Sequence, residues 1–90
     1  MKYLLRQNLV EQKKKNSVIL LDSDESILYT LNDTASYIYG LLKERLDDSE
    51  IKKRIMKKYK ITEKQSKKDF EEFITDLKKR GIISEYTSLQ

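Results

Sequence analysis

Ninety residues allow one domain with one modest core. Charged residues make up 38% of the chain, 19 basic against 15 acidic side chains leave a net charge of +4, and there is no cysteine or histidine. These counts exclude a disulfide framework, a thiolate metal site and any nucleophile that depends on Cys or His, and no apolar run approaches the roughly 18 residues of a membrane span.

The first stretch, MKYLLRQNLVEQKKK, has neither an apolar run of signal-peptide length nor a small-residue cleavage site, so a cytoplasmic location is the default expectation. Tyr3 to Val10 gathers Tyr3, Leu4, Leu5, Leu9 and Val10 and reads as a first strand. Glu11 to Asn16 is polar and basic and reads as a loop. Ser17 to Asp22, SVILLD, is β-branched and apolar, a second strand. Asp22, Ser23, Asp24 and Glu25 form a turn, because Asp and Ser side chains bond nearby backbone. Ser26 to Leu31 alternates, with Ile27, Tyr29 and Leu31 on one face, and its closeness to the second strand predicts an antiparallel hairpin.

Three helices follow. Asn32 stands at an N-cap position and Asp33 brings negative charge to the positive end of the dipole. Ala35, Ile38, Leu41 and Leu42 make one apolar face. Gly40 inside this helix costs about 1 kcal/mol relative to Ala, and either permits a close approach or is simply tolerated. Asp47-x-x-Glu50 and Thr62-x-x-Gln65 have capping-box spacing and open the second and third helices. Ile51, Ile55, Met56 and Tyr59 line the second. Phe70, Phe73, Ile74 and Leu77 form a narrow stripe on the third. Gly81, after Lys78, Lys79 and Arg80, suits a C′ position. The expectation is an α+β fold, β-β-β-α-α-α, similar to a winged helix-turn-helix with its hairpin first, and a tail over 84–90.

Little chemistry survives inspection. Two distant glycines cannot build a phosphate cradle. Asp22, Asp24 and Glu25 lack the glycine and the later glutamate of a calcium loop. Glu71 and Glu72 are adjacent on a helix and point apart. No metal, cofactor or catalytic residue is expected, and binding by shape remains. A small sheet has edges, and an edge accepts an added strand from a guest peptide. The third strand leads directly into the helices, so a groove between strand and helix is the natural place.

The ordered set Leu31-Asn32-Asp33-Thr34-Ala35, Ile38-Tyr39, Leu41-Leu42, Glu50-Ile51, Tyr59-x-Ile61, Asp69-Phe70, Phe73-Ile74, Leu77 and Gly81-Ile82-Ile83 resembles the PqqD-like proteins over residues 17 to 83. The chain departs from the family pattern at Glu44, where a glycine often ends the first helix, and at Asp47, where threonine often caps the second. The resemblance implies one peptide-recognition domain over 1–83, followed by a flexible tail over 84–90. It implies a stand-alone, non-catalytic adaptor that binds the leader of a ribosomally synthesised precursor by strand addition and presents it to a modifying or processing enzyme. In the family the leader lies against the third strand, over the third helix.

On that basis Ile27, Leu28, Tyr29 and Thr30 form the docking edge, with Leu28 and Thr30 alternating toward the guest and Tyr29 open to either face. Leu31 and Ala35 belong to the core. The third helix has two flanks, one with Asp69, Glu72, Asp76 and Arg80, the other with Lys67, Glu71 and Lys78, and the spacing does not choose between them. The reading favours Phe73, Leu77 and the Asp69–Asp76–Arg80 side. The competing reading is a winged-helix DNA-binding regulator, suggested by the pI of about 9.2 and the lysines of the third helix. Its acidic residues, and the scarcity of Arg, Asn and Gln there, oppose it. A third class, an obligate oligomer, would bury the edge permanently.

Overall fold

The computed structural model describes residues 2–86 other than Asn16 and Glu25, with the side chains of Lys2, Glu85 and Tyr86 also outside the description. The elements run β1 (Lys2–Leu5), β2 (Val10–Lys14), β3 (Ser17–Leu21), β4 (Ile27–Leu31), α1 (Asp33–Lys43), α2 (Asp48–Tyr59), α3 (Glu63–Lys79) and β5 (Ile83–Tyr86). A three-stranded antiparallel sheet, ordered β2-β3-β4, precedes the three helices, as expected.

The first strand of that sheet is not where hydropathy puts it. Val10–Lys14, which reads as the end of a strand and a loop, pairs with β3 from Val10↔Leu21 to Lys14↔Ser17. It is a solvent-washed edge strand, exposed at four of its five positions, so burial leaves no apolar alternation to read. The apolar residues before it form β1 instead, which pairs with β5 from Lys2↔Tyr86 to Leu5↔Ile83. The expected tail is therefore ordered as far as Tyr86, because β1 supplies its ladder partner; residues 87–90 lie outside the description.

The helices begin where their caps dictate. The side chains of Asn32, Asp47 and Thr62 accept from the backbone N–H of Ala35, Glu50 and Gln65 at 2.8, 3.1 and 3.1 Å. Each satisfies an orphan donor of the first turn. Helix α3 ends in a Schellman pattern: Gly81 N–H donates to the Lys78 carbonyl at 3.0 Å and Ile82 N–H to the Leu77 carbonyl at 2.9 Å, with Gly81 at φ 70°. The left-handed residue after α1 is Arg45 at φ 62°, one position beyond Glu44, and α2 closes on Lys60 at φ 54°.

One core joins these parts. Leu20 and Leu31 from the sheet, Ile38 and Leu42 from α1, Ile51 and Ile55 from α2, Phe70 and Leu77 from α3 and Ile82 are buried together. Each such side chain contributes about 1.5–3 kcal/mol of burial. Tyr3 of β1 meets Phe70 edge-on at 6.2 Å, which anchors the terminal ladder to the core.

Candidate functional site

Strand β4 lies at one edge of the sheet, hydrogen-bonded to β3 alone among the described residues. The opposite edge, β2, carries Glu11, Lys13 and Lys14, charges that discourage pairing with another strand. Strand β4 reads ILYTL and carries none. Ile27 is 66% exposed there, the most exposed large apolar side chain among the described residues.

The alternation expected along β4 breaks at Leu28. Leu20 faces Tyr29 while Leu21 faces Ile27, so Leu28 is an extra residue in a β-bulge. The bulge turns Ile27 outward and lets Leu28 pack partly against the core. Tyr29 also packs partly against the core, Thr30 is exposed and Leu31 is fully buried. The exposed side chains of β4 are therefore Ile27 and Thr30, with Leu28 half-buried, where simple alternation puts Leu28 and Thr30 on one face.

Helix α3 presents its Asp69–Asp76–Arg80 flank to this edge. Tyr29 Oη donates to Asp76 Oδ2 at 3.2 Å, and the Tyr29 ring tilts against Phe73 at 6.1 Å. Arg80 Nη1 donates to the Leu28 carbonyl at 2.9 Å, and its guanidinium lies 4.6 Å from the Tyr29 ring centroid. Burial foremost, then the Asp76 carboxylate and its hydrogen bond, raise the Tyr29 pKa against the opposing effect of Arg80. Tyr29 thus stays a neutral donor at physiological pH.

Between β4, the start of α1 and α3 lies a cleft of about 230 Å³, lined by Tyr29, Asn32, Thr34, Ala35, Ile38, Asp69, Glu72, Phe73 and Asp76. It gathers four of the sequence-predicted residues: Tyr29, Asp69, Phe73 and Asp76. Asp69 accepts from Gln65 Nε2 at 2.7 Å, which fixes its carboxylate at the far end. Leu77 is fully buried and belongs to the core, as its place in the apolar stripe of α3 implies. Thr34, Ala35 and Ile38 were missed as lining residues. The helical spacing of Ala35 and Ile38 reads as core and Thr34 carries no signal of its own, and only the tertiary arrangement shows that α1 also forms a wall.

No group of three or more metal-ligating side chains occurs among the described residues. Asp22 Oδ1 accepts from the N–H groups of Asp24 and Ser26, both at 2.9 Å, as the carboxylate of a turn. No helix among the described residues is long and apolar enough to cross a membrane.

The sequence matches the family model described as coenzyme PQQ synthesis protein D (PqqD) over residues 17–83. The chain belongs to the PqqD family. No curated protein sequence matches it. Two solved structures share the fold of this PqqD-family chain. One is TbiB1 in complex with the TbiA(beta) leader peptide, at 22% identity and TM-score 0.81, covering 98% of this chain and 100% of that one. The other is lasso peptide synthetase B1 complexed with the leader peptide, at 21% identity and TM-score 0.82, covering 94% of this chain and 100% of that one.

Proposed function

We propose that this PqqD-family chain is a non-catalytic adaptor that binds the leader segment of a ribosomally made precursor peptide and presents it to a modifying or processing enzyme. The observation that carries the reading is the uncharged edge strand β4, framed by Arg80 at its Leu28 carbonyl and by Asp76 at Tyr29. An extended guest adds its backbone to that edge and sets side chains into the cleft against Phe73, Ala35 and Ile38. The two similar structures hold leader peptides, which supports the same class of guest here. The cytoplasm, where ribosomal products emerge, is the fitting compartment.

A groove this small supports a Kd near ~1 μM, about −8 kcal/mol. Calorimetry with the leader half of a precursor encoded beside this gene tests the reading. Binding should depend weakly on salt, and a proline scan through the paired segment of the guest should abolish it at alternate positions, those whose N–H would donate to β4. Indifference to proline at every position, or a steep salt dependence, would contradict strand addition.

A further inference from the structure

The net charge of +4 conceals a strong segregation. Between Ile51 and Lys68 stand nine basic residues and one acidic residue, so this stretch carries +8 and the rest of the chain −4. It spans most of α2, the turn at 60–62 and the first turns of α3, and both helix ends meet at that turn. The charges therefore flank that corner of the fold, Lys53, Lys57 and Lys58 along one depression and Lys64, Lys67 and Lys68 along another. Lys53, Lys57, Lys60, Lys64 and Lys67 are exposed there, and none has a carboxylate partner among the described residues.

We infer that this basic corner is a second docking surface, for a protein partner that presents a compact acidic patch. Unpaired lysines repel one another and add nothing to the core, but they attract and steer an oppositely charged surface. The partner is a protein rather than a nucleic acid for a reason written along α3. Its lysines give way directly to Asp69, Glu71, Glu72 and Asp76, so a duplex lying along the helix would bring phosphates over carboxylates. A membrane surface fits less well, because the exposed large apolar residues, Leu4, Val10 and Ile27, all lie on other elements.

Helix α3 spans about 25 Å. The lysines of its first turns share a depression with Glu72 and Asp76, which also line the cleft, so the two surfaces adjoin and the proposed partner docks next to the guest peptide with both bound. Only this simultaneous occupancy rests on the leader-binding reading. The corner itself does not.

The test is an NMR titration of the labelled full chain with octaglutamate as the probe, and with mixed-sequence duplex DNA for comparison. Saturable octaglutamate shifts are expected over 52–68, with affinity about tenfold weaker in the K53E/K57E/K64E/K67E variant. The matching Lys→Gln variant should fall between, and both variants should keep the wild-type fold by circular dichroism. Leader-bound protein should bind octaglutamate as tightly as the free chain does. Absence of saturable shifts over 52–68 would overturn the proposal. So would tighter binding of DNA by the same lysines, or competition between octaglutamate and leader. If the leader fails to bind but octaglutamate still shifts 52–68, the adaptor reading falls and the corner stands.

Discussion

Arg80 Nη1 donates to the Leu28 carbonyl at 2.9 Å, joining the C-cap of α3 to the bulged residue of the edge strand 52 positions earlier. The same guanidinium covers the Tyr29 ring, whose hydroxyl reaches Asp76 one helical turn back. Arg80 thus joins the Tyr29–Asp76 and Tyr29–Phe73 contacts in tying β4 to α3.

Replacing Arg80 should show this. Arg80→Ala is expected to cost about 1 kcal/mol of stability, since the contact is exposed and combines one charge-assisted hydrogen bond with one cation–π contact. It should weaken leader binding several-fold by letting the walls move. Arg80→Lys should recover little, because an ammonium cannot stack on the ring and fork to the carbonyl together. Urea midpoints and calorimetry on the three proteins check both effects. Full recovery by lysine would reduce the role to charge alone.

Tyr39 supplies a pH dependence. It is 3% exposed, and burial foremost, with the Glu11 carboxylate adding, pushes its pKa up to about 12. The folded pKa lies above the unfolded value of about 10, so the contribution of the neutral phenol is complete below pH ~10 and is lost as pH rises toward ~12. The loss is on the order of 2 kcal/mol. Tyr39→Phe should flatten that part of the stability curve relative to wild type. Parallel curves for the two proteins between pH 9 and 11.5 would refute the assignment.

The two glycines should respond in opposite directions. A Cβ built on Gly40 meets nothing within 4 Å, so this glycine is tolerated and permits no close approach. Gly40→Ala should stabilise by about 1 kcal/mol. Gly81 holds φ +70°, and Gly81→Ala should destabilise by about 1 kcal/mol or slightly more. Lys60, a lysine at φ 54°, should gain a comparable amount when replaced by glycine. Thermal midpoints of the three variants check all three signs.

Much of this architecture was legible because it is local. Asn32, Asp47, Thr62 and Gly81 each mark a helix end through a bond to a neighbour a few residues away, and each bond is present. The hairpin of β3 and β4 was legible for the same reason. What escaped depends on distant partners. VEQKK becomes a strand only because SVILL offers a ladder, and residues 84–86 become one only because the first residues of the chain return to meet them. The bulge at Leu28 left no mark in ILYTL, so the outward turn of Ile27 could not be read. Within the candidate site, the flank of α3 was decided by Asp76 and Arg80 meeting β4. The contribution of Thr34 and Ile38 required the packed helices.

In the proposed mode of binding an extended leader joins β4. An NMR titration of the labelled protein with the leader half of its neighbouring precursor tests it most directly. Saturable shifts are expected over 27–30, at Asp69, Phe73, Asp76 and Arg80, and at Thr34 to Ile38, with residues 52–68 silent. Shifts along the β2 edge, or a bound peptide that leaves β4 unmoved, would contradict it.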